Sequence, residues 1–155
     1  MRGPNIMQGY WNKPEETAKT LRNGWLYTGD GAYMDEQGYL FIVDRLKDMI
    51  VSGGENVYSA EVENIVARHP EVLMCAVIGI PHAQWGEAVH AIVVRKPGAK
   101  VTEDELRAYC REYIAGYKCP KSLEFRETLP MTGAGKILKR DLREPFWAGK
   151  SRAVN

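Results

Sequence analysis

Hydrophobic and polar positions change their rhythm along this chain at about Asp44. Before it, turn formers interrupt every short apolar stretch: Gly3-Pro4, Lys13-Pro14, Asn23-Gly24, Gly29-Asp30-Gly31 and Glu36-Gln37-Gly38. Between them, Trp25 to Tyr27 and Tyr39 to Val43 predict short strands. Pro14 to Leu21 predicts a short helix, with proline near its start and Glu15 and Glu16 in its first turn. Too few apolar residues stand here to bury a core alone. Residues 1–44 therefore read as a β-rich edge of a larger body.

After Asp44 the pattern becomes that of an α+β unit. Lys47 to Val51 predicts a strand that runs into a glycine turn at Gly53-Gly54. Ser59 is the expected N-cap of a helix whose Val62, Ile65, Val66 and His69 fall at i, i+3, i+4 and i+7, with Pro70 ending it. Residues 72–80 and 88–94 are β-rich apolar runs. Thr102 and Glu105 form a capping box, and Leu106, Tyr109, Cys110 and Tyr113 give the following helix an apolar face. A last helix is expected to begin near Lys136. The order β-α-β-β-α-β-α implies helices packed on a small mixed or antiparallel sheet over residues 45–155.

Composition narrows the class without naming an activity. The 155 residues are 45% hydrophobic and 26% charged, as in folded globular chains. A formal net charge of +1 gives no global field for nucleic acid, so no nucleic-acid partner is expected. Cys75, Cys110 and Cys119 are odd in number and widely spaced, which argues against a disulfide framework. His69, His82 and His90 are scattered, and no metal site is expected. No signal pattern opens the chain, and no apolar run approaches the roughly 20 residues of a transmembrane segment. The expected location is cytoplasmic.

Four segments carry candidate chemistry, each with a plainer reading beside it. Asp30, in Thr28-Gly29-Asp30-Gly31, can accept two hydrogen bonds from a ribose diol, or simply start a turn. Asp44-Arg45-Leu46-Lys47-Asp48 precedes a strand and a double glycine, so Arg45 can meet phosphate; the alternative is a solvated hairpin. Lys136, in Pro130-Met131-Thr132-Gly133-Ala134-Gly135-Lys136, reads as a mobile point charge on a flexible glycine loop, or as part of a capped loop before a helix. It is not a nucleotide P-loop, because Pro130 and Ile137 stand where that pattern needs glycine and a hydroxyl residue. Trp85, between the two long apolar runs, either stacks on a base or covers the end of the sheet.

In order and spacing these segments resemble the AMP-forming acyl-CoA synthetases of the adenylate-forming superfamily. The matching residues are Gly9-Tyr10-Trp11 with Pro14-Glu15, Trp25 with Thr28-Gly29-Asp30, and Asp44-Arg45 with Lys47-Asp48. Gly53-Gly54-Glu55-Asn56, Glu61-Val62-Glu63 and Pro130-x-Thr132-x-x-Gly135-Lys136 complete the set. The resemblance covers the chain up to about Arg143. It implies that residues 1–44 end a large AMP-binding domain and that residues 45–155 are the C-terminal lid. Enzymes of this family join a carboxylate to ATP, release pyrophosphate, and pass the acyl group to coenzyme A. Their lid rotates between the two half-reactions. Mg2+ accompanies ATP.

By resemblance, Asp30 binds the nucleotide ribose, Arg45 lies near ribose and phosphate, Lys47 is the hinge, and Lys136 meets the carboxylate and α-phosphate. Gly54 would line the pantetheine tunnel, Trp85 and Tyr117 would flank the CoA adenine, and Lys118 and Lys121 would meet CoA phosphates. Cys119 replaces an arginine found in some relatives. The resemblance also makes Lys136 a target for a protein lysine acetyltransferase. The family's phosphate loop, adenine-binding segment and acyl pocket are not in this sequence, so the partner would be the missing N-terminal domain, together with a carboxylic acid substrate. The chain alone is expected not to make an acyl-adenylate, and residues 1–44 to self-associate. The competing classes are a stand-alone or decayed lid module, and an adenylating enzyme with a different acyl acceptor. The latter is normally followed by a carrier domain, whereas Phe146 to Asn155 ends the sequence.

Overall fold

Proline at a first helical position opens the first regular element. In the computed structural model, which describes residues 1–150, helix α1 (Pro14–Thr20) leads into the paired strands β1 (Leu21–Arg22) and β2 (Trp25–Leu26). A second hairpin joins β3 (Asp30–Met34) to β4 (Leu40–Arg45), with Tyr33 stacked on Phe41 at 5.0 Å. The contacts divide the chain into two units, Met1–Ile42 and Val43 onward. No residue of Met1–Ile42 is buried, and Trp11 and Ile42 are 89% and 72% exposed. This unit has secondary structure but no core of its own.

In the second unit a 3-10 turn (Leu46–Asp48) precedes β5 (Ile50–Ser52), β6 (Glu55–Val57) and α2 (Ser59–Val66). Then come β7 (Val72–His82), β8 (Gly86–Arg95), α3 (Glu103–Tyr113), β9 (Ser122–Phe125) and α4 (Lys139–Trp147). The five strands form one mixed sheet. β7 and β8 are a long antiparallel hairpin, β9 runs parallel to β8, and β5 meets β8 through Ser52 opposite Gly86. The sheet is buried on both faces, which is why β7 and β8 are continuous apolar runs rather than alternating ones. Val77, Val89, Ala91 and Val93 join Val62, Val66, Leu106 and Cys110 in one core cluster, beneath α2 and α3. Ala76, Ile78, Ile92 and Val94 face the other way, with Leu142 and Phe146 of α4.

The α+β expectation holds, and the local expectations need five corrections. α2 ends at Val66, so His69 and Pro70 lie beyond the helix they were expected to complete. Lys47 and Asp48 are not in a strand: the Met49 amide is bonded back to the Arg45 and Leu46 carbonyls, which winds a 3-10 turn and delays the strand to Ile50. Ser59 is not the N-cap of α2. It is the first helical residue, and the carboxylate of Asp44 accepts from the Ala60 amide at 3.1 Å and the Ser59 hydroxyl at 2.7 Å. α4 starts at Lys139 rather than near Lys136, because Ile137 is still engaged in an antiparallel bridge with Met131. β6 is an element that the apolar pattern does not predict. Gly53 and Gly54 both take positive φ, the geometry of a two-residue hairpin turn, so the chain doubles back at once. The capping box at Thr102 and Glu105 forms as expected. The end of the expected 45–155 unit, residues 151–155, lies outside the described residues.

Candidate functional site

The segment from Pro130 to Leu138 makes a closed turn, not the flexible glycine loop expected from sequence. The Thr132 amide donates to the Lys136 carbonyl at 2.8 Å, the Lys136 amide to Thr132 Oγ1 at 3.1 Å, and the Gly135 amide to the Thr132 carbonyl at 2.9 Å. Gly135 closes the turn with φ of 74°, a left-handed backbone that favours glycine. The Leu138 amide then bonds the Pro130 carbonyl at 2.8 Å. The chain between them is thereby fixed by backbone and hydroxyl bonds, and the Lys136 side chain stands exposed on a defined frame.

That side chain borders a cleft of about 380 Å3 lined by Arg45, Lys47, Asp48, Thr132 and residues 136–140, with Arg143. Six of the lining side chains are cationic, and Asp48 is the one carboxylate among them. Arg143 Nη1 holds Asp48 Oδ1 at 2.7 Å and the Lys47 carbonyl at 3.1 Å. Lys139 Nζ holds Glu63 Oε1 at 2.7 Å and Ser59 Oγ at 2.8 Å. Glu63 also accepts the Val77 amide at 2.7 Å. Burial raises the Glu63 carboxyl above the usual carboxylate range, against the opposing pull of the Lys139 ammonium. The cleft is thus a cationic surface fit for a polyanion or a carboxylate. Arg45, Lys47 and Lys136, singled out from sequence for separate roles, line the same cleft. Asp30, at the start of β3, belongs to the other unit, where its amide donates to Thr28 Oγ1 at 3.2 Å.

The remaining sequence-derived residues lie around the β5–β6 turn and the β7–β8 turn. Gly54 is exposed at its hairpin tip, and a Cβ there would meet nothing within 4 Å. The Gly53 amide donates to the Trp85 carbonyl at 2.9 Å. Trp85 is half-buried, stacked on His82 at 4.2 Å, with Lys121 Nζ 5.1 Å from its ring centroid. Lys121 Nζ also bonds the Gly116 carbonyl at 3.3 Å, beside the exposed Tyr117. Lys118 is placed differently: both oxygens of Glu61 accept from its ammonium, at 2.7 and 2.8 Å, and this bond raises its pKa.

Sequence reasoning gave no role to Lys139, Arg143, Glu63, Ser59 or Asp48 in this cleft. The spacing of Lys139 and Arg143 at i, i+4 after Lys136 marked one helix face, but their acids come from distant segments. Among the described residues no three His, Cys, Asp or Glu side chains gather as metal ligands, and no helix is long and apolar enough to cross a membrane. The three cysteines are free and buried, and burial pushes the Cys75 thiol up to about 12.

Comparison with known proteins agrees with this geometry. Residues 61–136 match the family model of the AMP-binding enzyme C-terminal domain. The chain is similar to feruloyl-CoA synthase of an Amycolatopsis species, 56% identical over 93% of this chain and 29% of that protein. It is also similar to a long-chain-fatty-acid–CoA ligase of Bacillus subtilis (strain 168), at 52% identity over 93% of this chain and 26% of the other. Among solved structures, ATP-bound MatB from Rhodopseudomonas palustris superposes with a TM-score of 0.84 at 41% identity, covering 94% of this chain and 29% of that one. The chain thus spans less than a third of the length of these relatives, and it matches their C-terminal region.

Proposed function

The chain belongs to the AMP-binding enzyme C-terminal domains of adenylate-forming enzymes, and from that premise we propose that it supplies the catalytic lid of an AMP-forming acid–thiol ligase. The observation that carries this reading is the cationic cleft in which Lys136, Arg45 and Lys47 meet. In the first half-reaction a carboxylate oxygen attacks the α-phosphorus of ATP, and pyrophosphate leaves. Two anions must approach, and negative charge builds on the phosphoryl oxygens. The Lys136 ammonium compensates that charge without moving a proton. The Arg45 guanidinium offers paired donors to phosphate or ribose oxygens, and the Asp30 carboxylate accepts from the ribose hydroxyls. Mg2+ enters with the phosphates of ATP as part of the substrate.

In the second half-reaction the thiol of coenzyme A displaces AMP from the acyl carbon. The open turn at Gly54 is the place for the thin pantetheine arm. Trp85 and Tyr117 offer faces for adenine, and Lys121 stands ready for phosphate. Lys118 would have to leave Glu61 first, so it ranks behind Lys121 for that task. Lys47 sits at the hinge between the two arrangements.

On this reading the N-terminal adenylation domain of the same enzyme is the partner, and residues 1–44 are the end of that domain. The relatives named above differ in acyl group, so the substrate is assigned only as a carboxylic acid. The exposed Lys136 is also a site for a lysine acetyltransferase, whose product would lose the charge that the α-phosphate needs. Acid-dependent exchange of pyrophosphate into ATP tests the reading. The full-length protein exchanges, the isolated chain does not, and acetylation at Lys136 abolishes it. Exchange by the isolated chain, or full exchange after acetylation, would overturn the assignment.

A further inference from the structure

Three residues join the two longest strands, and a side chain rather than the backbone closes their turn. β7 ends at His82 and β8 begins at Gly86, with Ala83, Gln84 and Trp85 between them. In an ordinary β-turn the carbonyl of the first residue accepts the amide of the fourth. Here His82 Nδ1 accepts that amide, from Trp85 at 3.3 Å, and the Gln84 amide at 3.2 Å. Nδ1 is therefore the acceptor nitrogen of the ring and carries no proton. The imidazole also lies flat on the Trp85 indole, with centroids 4.2 Å apart and planes 9° from parallel. The other end of the Trp85 peptide is held separately: its carbonyl accepts the Gly53 amide and the Glu87 amide, each at 2.9 Å. Those two bonds fix the carbonyl but not the indole, which still turns about its side-chain torsions. Lys121 Nζ, 5.1 Å from the ring centroid, belongs to an exposed side chain on a flexible stem and restrains the indole little.

We infer that His82 is a positioning residue: by closing the β7–β8 turn through Nδ1 it sets the orientation in which Trp85 meets the adenine of coenzyme A. An aromatic platform binds a base best when it is already in place, because ordering a loose indole offsets part of the stacking energy. The two contacts that His82 makes are separable. Asparagine keeps a short side-chain acceptor for amides two and three residues on, as in Asx turns, and has no ring. Phenylalanine keeps a ring to stack and has no acceptor. The bonds to the Gln84 and Trp85 amides fix the backbone from which the indole projects, so the acceptor is the part that matters.

The catalytic consequence rests on the ligase reading, and the turn itself on the chain alone, so two measurements are needed. Amide hydrogen exchange on this chain reads the turn. H82F speeds exchange at Gln84, Trp85 and Gly53, H82N keeps all three near wild type, and β7, β8 and α3 stay protected in both. In the full-length protein, H82F raises the KM for coenzyme A in acyl transfer by about 10-fold at nearly unchanged kcat, the scale of one lost base–aromatic stack. Pantetheine, which has the thiol arm and no nucleotide, reacts equally well with wild type and H82F, and adenylation is unaffected. H82N restores the KM for coenzyme A. Unchanged exchange at Gln84 and Trp85 in H82F would overturn the turn-closing role, whatever the protein catalyses. An equal rise in KM for coenzyme A and pantetheine, or a loss in H82N as large as in H82F, would overturn the positioning of Trp85 for the base. Faster exchange in H82F, in a protein whose full-length form transfers no acyl group, would keep the turn-closing role and refute the ligase reading instead.

Discussion

His90 shows how a single buried side chain ties this fold to pH. It is 4% exposed; its Nδ1 lies 2.7 Å from Ser122 Oγ, its Nε2 3.7 Å from Glu124, and its ring packs on Phe146. Burial lowers its pKa below the ordinary 6.5, against the opposing pull of Glu124, with Arg126 adding to the lowering and Glu103 opposing it. In the unfolded chain His90 takes a proton as pH falls through about 6.5, whereas in the folded chain it stays neutral to lower pH. The unfolded state therefore binds more protons in that window, and stability falls as pH falls from 6.5 toward the folded pKa. Denaturation of the wild type and H90Q across pH 5 to 7 reads this directly. The stability difference between them should shrink on acidification, and a pH-independent difference would contradict the assignment. Glu63 has the opposite sign. Its raised pKa means that the stability due to its proton is present below 4.5 and lost as pH rises through the folded value.

At the scale of elements, one buried carboxylate joins the β5–β6 hairpin to the main sheet. The ladder between β5 and β8 has a single registered pair, Ser52 opposite Gly86. Beside the bond from the Gly53 amide to the Trp85 carbonyl, Glu87, 3% exposed, adds a side-chain tie by accepting the Val51 amide at 3.0 Å. Gly79 makes room for it: a Cβ there would lie 2.5 Å from Glu87 Oε2 and 3.2 Å from Ile50 Cγ2. G79A must push the carboxylate off the Val51 amide and should cost about 1–3 kcal/mol in urea denaturation, with the slope unchanged. Wild-type stability would mean that Glu87 is not holding the hairpin.

The same scale shows what was legible in the sequence. Periodicity and caps are local, so α2, α3 and the β7–β8 pair were readable, as was the capping box at Thr102. The cleft members Arg45, Lys47 and Lys136 were readable because their motifs are short and contiguous. The ion pairs of α4 were not readable, because Lys139 meets Glu63 and Arg143 meets Asp48 across 76 and 95 positions of chain. The remote cap on α2 escaped for the same reason: Ser59 has the right chemistry for an N-cap, but Asp44 lies 15 positions away in sequence and does the capping. The rigidity of the Lys136 turn was hidden because its glycines suggest freedom, while the bonds that remove it depend on Thr132 folding back.

The whole molecule is a core-bearing unit preceded by a unit with none of its residues buried. The apolar side chains of the first unit, among them Leu40 and Ile42 at 67% and 72% exposure, form a surface suited to a neighbouring body. The second unit holds the cationic cleft beside α4 and, apart from it, the turns that carry Gly54 and Trp85. The proposed reading gives the two half-reactions different groups, so substitutions should separate them. In the full-length protein, the most direct test is K136A measured on each half-reaction alone. Pyrophosphate release from ATP and the carboxylic acid should fall by about 10²-fold or more, as for removal of one charge-stabilising group. Acyl transfer to coenzyme A from preformed acyl-adenylate should proceed near the wild-type rate. Adenylation that survives in K136A, or equal loss of both steps, would contradict the proposed role of Lys136 as the charge that serves adenylation alone.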